Sequence, residues 1–180
     1  MFNLNEKVAV VIGGGGHLCS AMADGLAKAG AKIAILDIRP HNASKEYPSF
    51  YVDVVKKISI EAALSKVLQQ YDKVDIVING AGINDPSPFL DITLDKWDAV
   101  MDSQITGTML GCQVFGKHML ENGGGSIINI SSASAGPPLS KAFAYSVAKA
   151  GIKNLTQNLA REWATSGIRV NAIRPGFFPT

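Results

Sequence analysis

Six short apolar runs, most of them rich in β-branched residues, punctuate this chain at Lys7–Ile12, Lys32–Leu36, Phe50–Val52, Asp75–Ile78, Ser126–Ile130 and Ile168–Ile173. The runs are nearly continuous in hydrophobic residues rather than alternating, as expected of strands covered on both faces, and such strands build parallel sheets. Longer stretches with helical periodicity lie between them, at His17–Ala29, Ile60–Tyr71, Thr93–Leu120 and Tyr145–Thr165. Thr93-Leu94-Asp95-Lys96-Trp97 reads as a helix cap followed by an early acid. Glu121-Asn122-Gly123-Gly124-Gly125 supplies residues that tolerate the left-handed conformation at a helix end. The interval Asp37–Ser49 is too short and too rich in Pro, Asn and Ser for a full helix, so a turn is predicted there. Strand–helix alternation of this kind predicts one α/β domain over residues 1–180, a doubly wound parallel sheet with right-handed crossovers.

Composition narrows the classes of function. Hydrophobic residues make up 47% and charged residues 18% of 180 positions, the balance of a globular chain with a sizeable core. The net charge is +2 with basic residues scattered, so nothing marks a nucleic-acid surface. No apolar run reaches the ~18 residues that suggest a membrane span. The N-terminal Met1-Phe2-Asn3-Leu4-Asn5-Glu6-Lys7 lacks the pattern of a signal peptide. Cys19 and Cys112 are far apart, and neither they nor His17, His41 and His118 fall in a metal-ligand spacing. No metal is expected, and a reduced, cytoplasmic setting is the simplest reading.

Candidate chemistry sits at the ends of the apolar runs. The first run leads into Gly13-Gly14-Gly15-Gly16 and then a helix at His17-Leu18-Cys19. Glycines between a strand and a helix let backbone N–H groups approach a pyrophosphate at the positive helix end. Asp37 closes the second run, where a carboxylate accepts both ribose hydroxyls of NAD and repels the 2′-phosphate of NADP. Arg39 keeps NADP open, because a guanidinium two residues on could take that phosphate. Tyr145 and Lys149 are four residues apart in a helical pattern and so share one face. An ammonium beside a phenol stabilises the phenolate, which suits proton exchange with an alcohol or carbonyl. Taken alone, the pair is better read as a core Tyr and a solvated Lys on an ordinary amphipathic helix. Ser132 lies thirteen residues before Tyr145, an offset that favours it over its close rivals Ser131 and Ser134. Trp97 and Trp163 read as core or interface aromatics.

The glycine loop, Asp37, Asp53-Val54, Asn79-Gly80-Ala81-Gly82, Ser132, Tyr145/Lys149 and Pro175-Gly176 resemble, in order and spacing, the short-chain dehydrogenase/reductase family from Lys7 to Thr180. The resemblance implies a Rossmann-type fold. It implies that Gly13, Gly15, Gly16, His17 and Leu18 form the cofactor loop, with Asp53 and Val54 at the adenine and Asn79, Ala81 and Gly82 beneath the cofactor. Lys149 would hold the nicotinamide ribose, Tyr145 would be the general acid or base, and Ser132 would donate to the substrate oxygen. Pro175, Gly176, Phe178 and Thr180 would orient the nicotinamide. A homo-oligomer, dimer or tetramer, is implied as well.

The chain also departs from the family pattern. The usual Thr-Gly-x-x-x-Gly-x-Gly reads Ile12-Gly13-Gly14-Gly15-Gly16-His17-Leu18-Cys19, so His17 and Cys19 stand where glycines are usual. Cys19 adds a Cβ where helix and strand pack closely; a reactive thiol is the other reading of it. Gln104 occupies the position of the family's catalytic asparagine, at a helix kink whose carbonyl holds a water linked to the lysine. The family continues beyond the position of Thr180, so the resemblance implies that the last strand and the substrate-covering lid are absent here and that an edge near Ile168–Ile173 is unpaired. The expected activity is NAD(H)-dependent interconversion of a secondary alcohol and a ketone. Arg174-Pro175-Gly176-Phe177-Phe178-Pro179-Thr180 and the Leu-Cys-Ser-Ala-Met first helix are similar to members acting on sugar acids such as mannonate and fructuronate. The alternative is an impaired relative that binds nucleotide or oligomerises without turnover.

Overall fold

In a computed structural model describing residues 3–43, 46–137 and 139–177, the apolar runs form one six-stranded sheet. The strands are β1 (Val8–Ile12), β2 (Lys32–Asp37), β3 (Ser49–Tyr51), β4 (Ile76–Asn79), β5 (Gly125–Ile130) and β6 (Ile168–Ile173). Their order is β3-β2-β1-β4-β5-β6, and every pairing is parallel. This is the Rossmann-type arrangement, whose crevice lies between β1 and β4, where the strand order reverses.

The sheet alternates side chains between two cores, as pleating requires. Val8, Val10 and Ile12 point to one face and pack with Ile60, Ala63 and Val67 of α2 (Lys57–Tyr71) and with Cys112, Phe115 and Met119 of α4 (Gly107–Glu121). Leu159, Ala160 and Trp163, at and just beyond the end of α5 (Phe143–Glu162), close the same face. Ala9 and Val11 point the other way and pack with Cys19 and Ala23 of α1 (His17–Lys28). Each central strand is thus buried on both sides, which explains its unbroken apolar sequence.

Among its described residues, the interval between β2 and β3 forms a 3₁₀ turn, Pro40–Asn42, in place of a helix, as its composition predicted. The expected third helix is α3 (Leu94–Met101), capped by Thr93 Oγ1 accepting the Lys96 N–H at 3.4 Å. It runs through a π turn, Asp102–Thr106, into α4. Two helix starts differ from expectation. The α2 helix begins at Lys57, three residues before the first buried apolar position, Ile60, and α5 begins at Phe143. The first turn of α2 is largely exposed, so hydrophobic periodicity does not mark it, and α5 gains an exposed Phe143 and a buried Ala144 ahead of the expected start.

Candidate active site

The cofactor half of the site is built mainly from backbone. Gly13 leaves β1 with φ +83°, a conformation glycine adopts freely, and donates its N–H to Leu36 O at 2.7 Å. A Cβ on Gly13 would lie 2.7 Å from the Ala81 nitrogen, so the loop and the end of β4 touch backbone to backbone. The α1 helix then starts with no side-chain cap and no acid in its first turn, leaving its positive end open to an anion. Asp37 faces this loop: its carboxylate accepts the N–H groups of Gly15 at 3.0 Å and Arg39 at 2.9 Å. These bonds fix the carboxylate at the end of β2.

A cavity of about 530 Å³ opens along this crevice. It brings together Gly13, Gly16, Asp37, Asp53, Val54, Ala81 and Gly82 from the expected set, and adds Arg39 and Ser103. Gly15 borders it through Asp37. Asn79 is different. Its side chain is turned into the core, donating to Asn129 Oδ1 at 2.8 Å and to Cys112 Sγ at 3.4 Å. His17 and Leu18 belong to the first turn of α1, with His17 exposed. Phe178 and Thr180 lie outside the described residues.

Cys19 finds room through a partner the sequence did not advertise. A Cβ on Gly80 would collide with the Cys19 sulfur, so the thiol fills the notch that this glycine leaves. Burial pushes the thiol up to about 11, with Lys149 opposing that rise. It is therefore protonated at neutral pH and packs as a small apolar group rather than as a nucleophile.

The chemical half comes from β5 and α5. Ser132 follows β5, and its Oγ accepts the Ser134 N–H at 3.2 Å, leaving the hydroxyl proton free to donate. The rival Ser131 donates its hydroxyl to Lys149 O at 2.8 Å and is spent on holding α5. Ser134 is buried, with no partner for its hydroxyl among the described residues. Lys149 is 4% exposed and donates to Ile130 O at 2.6 Å. Its Nζ lies 5.3 Å from the centre of the Tyr145 ring, so the expected neighbours do meet on one helix face. Desolvation lowers the ammonium from 10.5 to about 8, with Cys19 opposing the shift.

Gln104 occupies the π turn and is 2% exposed. Its Nε2 donates to Ile83 O at 2.8 Å, and the neighbouring Ser103 Oγ accepts the Ile83 N–H at 3.2 Å. The Gln104 carbonyl, to which the resemblance assigned a water, accepts the Thr108 hydroxyl at 2.7 Å. Among the described residues, no group of His, Cys, Asp or Glu could hold a metal ion, and no helix is long and apolar enough to cross a membrane.

An uncapped helix behind a glycine loop at the switch point, with Lys149 beside Tyr145 on α5 and bonded to Ile130 O at the end of β5, fits a dehydrogenase built on a dinucleotide fold. The chain belongs to the short-chain dehydrogenase family, whose model it matches over residues 7–180, and it is an oxidoreductase. It is 40% identical to the oxidoreductase UxuB of Bacillus subtilis, across 99% of this chain and 73% of that protein. It is 37% identical to an NAD-dependent glycerol dehydrogenase of Listeria innocua, across 97% of this chain and 71% of that one. Among solved structures, a gluconate 5-dehydrogenase from Burkholderia cenocepacia in complex with NADP and tartrate is similar with a TM-score of 0.93 at 29% identity, covering 99% of this chain and 74% of that one.

Proposed function

We propose that this protein interconverts a secondary alcohol and a ketone on a polyol or sugar acid, with NAD(H) as the preferred cofactor. The observation that carries the reading is the juxtaposition of Lys149 and Tyr145 on α5, tied to the end of β5 by Lys149 Nζ on Ile130 O and by Ser131 Oγ on Lys149 O, with Ser132 the next residue along. The residues present fit a dinucleotide. The Gly13–Ala81 approach leaves no room for a side chain, and the amide groups at the start of α1 have no competing acid. When bound, the nicotinamide supplies or accepts the hydride.

The chain's own groups do the rest. Ser132 donates its free hydroxyl proton to the substrate oxygen and so stabilises charge that builds there. Tyr145 gives its phenol proton to that oxygen in reduction and removes the proton in oxidation. Lys149 keeps a positive charge beside the phenol, anchored through Ile130 O. Asp37, fixed at the end of β2 by two backbone N–H groups, would accept the adenosine ribose hydroxyls of a bound cofactor, which favours two hydroxyls over a phosphate. The similarity to a glycerol dehydrogenase and to a gluconate 5-dehydrogenase supports polyhydroxylated substrates. A homo-oligomer follows as a further reading, checked by light scattering of the purified chain.

The test is Tyr145→Phe, assayed on a panel of polyols and sugar acids. Turnover falls by about 10²–10⁴-fold, the usual contribution of a positioned acid–base group. NADH binding by fluorescence stays within threefold. Wild-type turnover in this variant would refute the acid–base assignment.

A further inference from the structure

Arg174 follows β6 directly, before Pro175. The β5–β6 ladder continues past the strands, with Ser131 N–H donating to Ile173 O at 2.9 Å and Ala133 N–H to Pro175 O at 2.9 Å. The next donor on the β6 side would be residue 175, and proline has no N–H. The Arg174 side chain supplies donors at this point instead. Its Nε donates to Ser132 O at 3.2 Å and its Nη2 to Ala133 O at 3.3 Å. Gly136 makes room for it, since a Cβ there would lie 2.8 Å from Nη2. No carboxylate pairs with this guanidinium among the described residues, so its observed partners are these carbonyls.

We infer that Arg174 is a positioning residue: its guanidinium extends the β5–β6 ladder past Pro175 and fixes Ser132 in register with the Pro175-Gly176 segment. The inference rests on the function proposed above, because Ser132 is the group whose aim is being held. Four hydrogen bonds now tie residues 131–133 to residues 173–175, two through backbone and two through one planar side chain. A guanidinium suits this task because its donors are fixed in one plane, so two successive carbonyls share one rigid group. Lysine at this position could reach one of them.

The experiment uses the full chain with NADH and two substitutions, Arg174→Gln and Ser132→Ala, singly and together. Arg174→Gln alone lowers kcat by tenfold or more, while the NADH Kd stays within threefold. In the Ser132→Ala background the same substitution lowers kcat by less than twofold, because the group it aims is gone. A full tenfold loss in that background, or wild-type kcat in Arg174→Gln alone, would overturn the inference. Amide hydrogen exchange provides a readout independent of turnover. In Arg174→Gln, exchange at Ala133 and Ser134 speeds up at least tenfold while β1 amides are unchanged; equal rates would overturn the inference. Should Arg174→Gln fail to fold, Arg174→Lys is used, with an intermediate loss expected on both readouts, and wild-type behaviour on both overturns the inference. Wild-type turnover in Ser132→Ala alone would refute the serine's role in the proposed function, and the exchange arm would still decide whether Arg174 holds the loop.

Discussion

The two halves of this site are made of different material. The half around β1, α1 and β2 presents backbone amides, an uncapped helix end and one aimed carboxylate. The half around β5 and α5 presents three side chains, and two of the three are fixed by a bond of their own: Ser132 by the Ser134 N–H and Lys149 by Ile130 O. Two departures from the family pattern fall in the first half, where His17 and Cys19 stand in place of glycines. They are absorbed there because His17 is exposed and Gly80 yields its Cβ volume to the Cys19 sulfur. A site made from backbone tolerates new side chains as long as a neighbour gives up space. A site made from functional groups depends on the groups themselves.

The largest effect that sharpens this contrast is expected from Lys149→Met. The ammonium is almost fully desolvated and has one short bond to a carbonyl, so its burial costs stability, the pattern expected of a group held for the proposed chemistry. Methionine fills a similar volume without a charge. Turnover drops by about 10²-fold or more, while the melting temperature stays level or rises. A variant that keeps its activity, or that melts well below wild type, would break the distinction between the two halves.

The sheet was legible because each central strand is buried on both faces, which writes an unbroken apolar run into the chain. Asp37 was legible for a related reason, standing where the second run stops. The thirteen-residue offset from Tyr145 favoured Ser132 over Ser131 without giving a physical reason against the rival. That reason comes from the Ser131 hydroxyl reaching Lys149 O, a contact across 18 positions. Cys19 looked like an intrusion because its compensating residue, Gly80, is 61 positions away (80 − 19) and only the β1–β4 pairing brings them together. The shared hold of Ser103 and Gln104 on Ile83 depends on a π turn, and hydrophobic periodicity does not distinguish that turn from an α-helix. The Arg174 contacts were equally hidden, since an arginine before a proline carries no mark of which carbonyls it will find.

A second, smaller effect concerns Asp37. Replacing it with alanine removes the carboxylate and releases the Gly15 and Arg39 amides together. The NAD/NADP affinity ratio should move toward NADP by about tenfold, roughly 1.4 kcal/mol, with the absolute affinity for NAD weakened as well. Titration of both cofactors against wild type and Asp37→Ala checks this. An unchanged ratio would mean that the carboxylate serves the loop and not the choice of cofactor.

The volume exchange between Cys19 and Gly80 predicts a coupling rather than a simple loss. Gly80→Ala alone forces its Cβ into the sulfur and should cost about 1–3 kcal/mol, the usual range for overpacking. Adding Cys19→Gly removes the clash, at the expense of about 1 kcal/mol for glycine inside a helix. The double variant should therefore be more stable than Gly80→Ala alone. Denaturant unfolding of the four proteins in this cycle measures the coupling, and strict additivity would show that the backbone half absorbed Cys19 by some other route.

The smallest effect is a change in stability with pH that both halves shape in opposite directions. Lys149 titrates near 8 when folded and at its ordinary 10.5 when unfolded, so above pH 8 the folded chain sheds this proton first. The unfolded state then binds more protons, and stability rises with pH. The buried thiols work the other way. Burial pushes Cys19 up to about 11 and Cys112 up to about 12 from 9.0, so above pH 9 the unfolded chain loses these protons first and stability falls. Between pH 8 and 9 the lysine dominates among these three groups, and the gain is at most about 1 kcal/mol for one unit of pH. That corresponds to a rise of about 2–4 °C in melting temperature for a chain of this size. In Lys149→Met the rise disappears and only the decline above pH 9 is left. A rise that persisted in that variant would show that the buried ammonium is not its source.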